Sequence, residues 1–159
     1  MKFKQYGFGL FGWENDDIAI AGGTREQGFH PAGKMRCSFS VYDKAMGRRD
    51  RIEPPIVASL VLVINLAETD EDEPTVDKFI KVEVSKAVRR SGIGRRIVAA
   101  VLEASAGDLE VCDIKRNAKG FWMKMGAEGF NERKGFLNAT LRKAPVLEDD
   151  AVEAMSPSP

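Results

Sequence analysis

Apolar and polar positions alternate cleanly over residues 36–42, where Cys37, Phe39 and Val41 are separated by Arg36, Ser38, Ser40 and Tyr42. This period of two predicts a half-buried strand. Residues 56–66 (IVASLVLVINL) run almost unbroken through β-branched and apolar side chains, the pattern of a strand covered on both faces. Over 79–85 the alternation returns, with Ile80, Val82 and Val84 on one face and Phe79, Lys81, Glu83 and Ser85 on the other. The period then lengthens: Ile97, Val98, Val101 and Leu102 recur at helical spacing, and Gly107 is placed to end that helix. A strand over 109–114 follows. A second helix over 118–125 carries Phe121, Trp122 and Met125 on one stripe and stops at Gly126, and two last strands are predicted at 129–132 and 136–142.

The first 35 residues resist such a reading, because Phe3, Tyr6, Phe8, Phe11 and Trp13 are scattered among glycines with no clean period. Within them, 17–21 (DIAIA) reads as a short strand ended by Gly22 and Gly23; 48–51 reads as a basic loop leading to Pro54 and Pro55, and the acidic run with Pro74 as a turn. The order of elements predicts a mixed α/β (α+β) sheet with at least one right-handed parallel crossover, joining the strand at 79–85 to that at 109–114.

A chain of 159 residues, 43% hydrophobic and 30% charged, is one ordinary soluble domain. The domain is expected over 1–144, with 145–159 an acidic, disordered tail. No run of 18 apolar residues and no apolar leader occurs, so a cytoplasmic protein with no membrane partner is expected. Cys37 and Cys112 lie far apart and His30 is the sole histidine, which leaves little from which to build a metal site or a histidine-based nucleophile. His30, next to Pro31, reads as a loop residue and Cys112 as a packing residue.

The formal net charge of zero conceals segregation. The acids of 68–77 and of the tail are offset by residues 86–96, where five of eleven residues are basic and none is acidic. With a pI near 6.6 the chain is not a general nucleic-acid binder, but this one segment is a local anion trap. It joins a strand to a helix, whose first turn leaves backbone N–H groups unpartnered. Gly92 and Gly94 let the backbone approach an anion closely, and Arg89, Arg90, Arg95 and Arg96 add charge. Neither GxxxxGK[ST] nor GxGxxG is present.

What does fit is Arg89-x-x-Gly92-x-Gly94, and on it the chain resembles the GNAT family of acetyl-CoA-dependent N-acetyltransferases. Phe121-Trp122-x-Lys124-x-Gly126 resembles that family's second conserved helix, so the likeness covers roughly 56–142. The resemblance implies a mostly antiparallel sheet with a βαβ acetyl-CoA-binding core. It implies that Arg89, Arg90, Ser91, Gly92, Ile93, Gly94 and Arg95 hold the coenzyme's pyrophosphate, that Val82 and Val84 pair their backbone with its pantetheine arm, and that Asn117 contacts the coenzyme. Family members usually place that asparagine where this chain has Lys115. They also commonly carry tyrosine, a general acid, at the position of Trp122, and an indole N–H has no proton to give. Phe121 and Trp122, at helical spacing, read as core residues, and Trp122 is expected also to wall the acceptor site. Glu83, opposite Val82 and Val84, is the candidate catalytic base, the alternative being simple pairing with Lys81. The implied activity is acetyl transfer to a primary amine of a small molecule or protein, with no metal; a homodimer is left open. The alternatives are a GNAT-like module that binds coenzyme A without catalysis, and a nucleotide-binding protein with a different loop.

Overall fold

Glycines explain why the aromatic N-terminus lacks a period. The computed structural model describes residues 1–26, 33–66, 72–89 and 91–143, and in it this stretch forms three strands, β1 (Lys2–Gly7), β2 (Leu10–Glu14) and β3 (Ile18–Arg25), paired antiparallel in chain order. At Gly12 a Cβ atom would fall 1.7 Å from the carbonyl oxygen of Ile20, so only glycine fits. The space left by Gly23 is filled by the ring of Phe11, which joins Phe3, Trp13 and Phe39 in a cluster with centroids 5.6–6.0 Å apart. Strand β3 therefore runs through Gly22 and Gly23 to Arg25 instead of ending at them.

The sheet continues with β4 (Lys34–Asp43), β5 (Ile56–Asn65) and β6 (Thr75–Val84), each antiparallel to the last. Between β4 and β5 the predicted basic loop is a short helix, α1 (Lys44–Asp50), because Asp43 caps it by accepting a hydrogen bond from the Met46 amide at 2.9 Å. After β6 come α2 (Ile93–Glu103), β7 (Ser105–Ile114), α3 (Lys119–Lys124), β8 (Glu128–Arg133) and β9 (Phe136–Leu141). Among the described residues the strand order is β1-β2-β3-β4-β5-β6-β7-β9-β8, antiparallel except where α2 crosses over to make β7 parallel to β6. This is the mixed, mostly antiparallel α+β fold with a βαβ unit that the sequence predicts. Helix α2 stops at Glu103, four residues before Gly107, which lies inside the longer β7. Gly126, with φ of 93°, does end the α3 turn.

One sheet face is covered by α2 and α3. Aligned across it are Phe39, Leu60 and Val82 in one row and Cys37, Leu62, Phe79, Val111 and Ala139 in another. Ile93, Ile97, Val98 and Val101 of α2 pack there, and Trp122 of α3 meets Phe79 with centroids 5.1 Å apart. The opposite face corrects the expectation for β5: Leu60, Leu62 and Ile64 are buried, whereas Val61 and Val63 are only partly so. Strand β6 corrects the expected facing as well. Lys81 pairs with Val61 but Phe79 with the adjacent Leu62, so Ile80 is an extra, bulged residue. The bulge reverses the alternation, and Phe79, Val82 and Val84 all turn to the covered side.

His30, Arg90 and the acidic tail lie outside the described residues, as does 67–71 of the acidic run. Thr75–Asp77, from the end of that run, belong to β6 rather than to a turn. No described helix is long and apolar enough to cross a membrane, and no described group of three His, Cys, Asp or Glu side chains is arranged to hold a metal ion.

Candidate active site

Strands β6 and β7 pair only as far as Phe79 and Val111. Beyond the Ile80 bulge, β6 keeps a partner on its β5 side, with Ala58, Ser59, Leu60 and Val61 opposite Val84, Glu83, Val82 and Lys81. On the other side it parts from β7, which continues to Ile114. The gap opens into a cleft of about 950 Å³ lined by residues 80–84 of β6, Cys112 to Lys115, the start of α2 and the Phe121–Trp122 side of α3. An interior strand thus presents unpaired backbone to a cavity.

The start of α2 forms the adjoining wall. A 3-10 turn at Lys86–Val88 leads to Gly92, the N-cap, whose φ of 81° is a left-handed conformation that a side chain strains. No side chain caps the helix, and its first backbone bond runs from the Arg96 amide to the Gly92 carbonyl at 3.3 Å. The amides of Ile93, Gly94 and Arg95 are thereby left to the cleft, with the partial positive charge of the helix end. Arg96 faces away and anchors the turn: its guanidinium nitrogens lie 3.3 and 3.5 Å from the buried carboxylate of Asp43, the residue that caps α1. Gly94 has a second role, since a Cβ there would sit 3.2 Å from the ring of Phe121. Its smallness lets α2 and α3 close over the cleft.

Of the residues singled out from sequence, Val82, Glu83, Val84, Arg89, Gly92, Ile93, Gly94, Arg95 and Trp122 line this one cleft. Arg89 donates from Nε to the Val84 carbonyl at 3.1 Å, tying the loop to the end of β6. Ser91 turns back to the Val88 carbonyl. Glu83 is exposed, with Oε2 3.7 Å from Lys81 Nζ on the same strand. Trp122 is buried between Phe79 and Phe121, each with its centroid 5.1 Å away. Asn117 is exposed on the 3-10 turn Arg116–Ala118 and is not part of the cleft wall; Lys115 is. Cys112, read as packing, also faces the cleft, and burial, followed by the nearby Glu110, pushes its thiol up to about 11. It is a poor nucleophile near neutral pH. The contributions of Lys115 and Ile114 were not legible in the sequence; that of Lys124 was visible in the Phe-Trp-x-Lys-x-Gly pattern but had no role assigned.

No protein-family model matches the chain, and no curated protein matches it in sequence. Among solved structures, a point mutant of the AtaT toxin bound to the C-terminus of the antitoxin AtaR and acetyl-CoA is 10% identical, with a TM-score of 0.46 over 76% of this chain and 72% of that one. AtaTR bound with acetyl-CoA gives 12% identity and 0.45 over the same shares, 76% and 72%. The KacTA–DNA complex gives 15% and 0.43 over 82% and 77%. Likeness this distant carries nothing about what the chain binds or does.

Proposed function

We propose that the protein is an N-acetyltransferase of the GNAT type, moving an acetyl group from acetyl-CoA to a primary amine. The observation that carries the reading is the meeting, at one cleft, of an uncapped helix start and a strand with free backbone on one side. The two suit the two ends of an elongated donor. The amides of Ile93, Gly94 and Arg95 and the charge of Arg95 match a pyrophosphate, and the open side of Ile80–Val84 matches the amides of a pantetheine arm. Acetyl-CoA supplies the activated acetyl group. The protein's part is to fix that group beside the gap and deliver an amine to it. In this reading Glu83, beside the gap and in contact with solvent, takes the amine's proton through a water. With tryptophan at 122 there is no tyrosine-like acid at that position, so the thiolate of a thiol with pKa about 8.5 leaves unassisted. That same absence favours the second reading, a coenzyme-binding module without catalysis.

Acetyl-CoA is expected to raise the melting temperature and NAD to leave it unchanged, since a ligand at about 100 times its Kd adds roughly 2.7 kcal/mol to unfolding. No shift at millimolar acetyl-CoA would sink both readings. Coenzyme A release with a mixture of amines, followed by free thiol, separates them: release supports the enzyme and silence the module. Gly94→Val is expected to abolish the acetyl-CoA shift, because the added methyls push on Phe121 and fill the approach to the helix start. Arg49→Ala, on α1 away from the cleft, is expected to keep it; equal losses from the two would misplace the site.

A further inference from the structure

We propose that Asp43, a buried carboxylate outside the cleft, is a positioning residue for the donor site: through Arg96 it sets the first turn of α2, and with it the direction in which the amides of Ile93, Gly94 and Arg95 point. The inference rests on the acetyl-CoA reading and extends it to residues that touch no donor. Asp43 is 5% exposed, and among the described residues only it and Ser105 are buried polar groups. The Ser105 hydroxyl is satisfied locally, by the Leu102 and Gly107 carbonyls. Burying a carboxylate is costly unless it is paired and hydrogen-bonded. Capping α1, a helix of seven residues, needs one acceptor, which serine or asparagine supplies equally well. Neither the burial nor the second oxygen is explained by the cap.

The shape of the contact with Arg96 explains both. Oδ1 accepts from the Met46 amide at 2.9 Å and faces Arg96 Nη2 at 3.5 Å, while Oδ2 faces Arg96 Nη1 at 3.3 Å. A planar guanidinium held by two oxygens is fixed in orientation as well as in distance. The first turn of α2 has little else to orient it. Gly92 caps the helix with no side-chain bond, and Ile93 holds the turn by apolar burial, which is non-directional. Among the described residues the fork of Arg96 is the only hydrogen bond or ion pair made by a side chain of 92–96, and Arg96 is also the residue whose amide bonds the Gly92 carbonyl. The other end of the fork is held firmly: the Asp43 amide donates to the Pro55 carbonyl at 3.0 Å, and β4 is paired on both sides. Sheet, α1 and α2 meet on one side chain. Neither Asp43 nor Arg96 lines the cleft, so their effect on a donor is exerted through the turn.

The test is the dissociation constant of acetyl-CoA, measured by calorimetry well below each variant's melting temperature, so that only folded protein is titrated. Asp43→Asn keeps an oxygen for the Met46 amide but replaces the second oxygen with a donor that the guanidinium cannot use. It is expected to weaken acetyl-CoA binding about tenfold, a usual size for coupling between separated groups, and Arg96→Gln is expected to do the same. Because one residue acts through the other, Asp43→Asn combined with Arg96→Gln should also bind about tenfold more weakly, not about a hundredfold as two independent losses would. Arg96→Lys keeps a cation on Asp43 without the fork; its affinity should fall between, and it decides the matter should the other variants not fold. Arg48→Gln, which breaks the exposed pair of α1 with Asp17 at 3.3 Å, is expected to bind as the unaltered protein does. A purely structural role would lower Tm and leave these constants alone. Unchanged affinity in the Asp43 and Arg96 variants, an equal loss in Arg48→Gln, or additive losses in the double variant would overturn the assignment and leave the acetyl-CoA reading intact. An unaltered protein that does not bind acetyl-CoA would overturn the two together.

Discussion

Glu83→Gln is expected to lower turnover by roughly 10² to 10⁴ while acetyl-CoA affinity stays within a few-fold. The reason lies in the acceptor. A free alkylamine with pKa near 10.4 is only about 0.1% neutral or less near pH 7, and the protonated form has no lone pair for the thioester. In the proposed reading a carboxylate at the gap between β6 and β7 removes that proton where it matters, and glutamine of nearly equal shape cannot. The deficit should therefore shrink as pH rises and solvent deprotonates the amine unaided. Steady-state rates across pH, with binding measured separately, decide the matter. A deficit that stays constant with pH and travels with weaker acetyl-CoA binding assigns Glu83 to structure, through its pairing with Lys81.

Trp122→Ala is expected to cost about 3–5 kcal/mol of folding stability, the usual range for removing a buried large aromatic ring. Trp122 is 5% exposed and meets Phe79 and Phe121 edge-on, so its loss leaves a cavity where α3 sits on the sheet. Urea unfolding reads the effect directly, and in a chain of this size it corresponds to a drop in Tm of roughly 10 °C. Trp122→Phe keeps most of the packing and removes the indole N–H; turnover should hardly change if the thiolate leaves without a proton donor. A folded Trp122→Phe variant that still binds acetyl-CoA but turns over more than a hundredfold slower would give the indole a chemical task denied to it here.

Legibility in the sequence followed the physics of each element. Where side chains alone decide facing, as for Cys37, Phe39 and Val41 in β4, the alternation named the buried residues. Helix α2 was equally plain, since Ile97, Val98 and Val101 are buried at helical spacing. Where backbone decides, the pattern failed. Gly12 and Gly23 place strands so close that a neighbour's carbonyl or ring occupies the space of a side chain, and no period survives. Helix α1 was hidden because its determinant is a single cap, Asp43, ahead of a segment whose arginines read as loop. The loop that lines the cleft was legible because glycines, basic charge and the switch of period coincide at 89–96. Lys115 was not, because it reaches the cleft only through the path of β7, which no local pattern encodes.

The bulge at Ile80 makes the cleft a matter of counting. One more residue on β6 than on the facing stretch of β5 shifts the phase of everything after it. Side chains from 79 to 84 are exchangeable, within the limits of apolar and polar, without closing the opening; deletion of one residue turns Val82 and Val84 away from α2 and Lys81 and Glu83 toward it. The feature is inherited as a length, not as letters. Substitutions along β6 that keep the alternation therefore leave the opening in place, while an insertion or deletion there shifts the phase of the strand and with it the wall of the cleft.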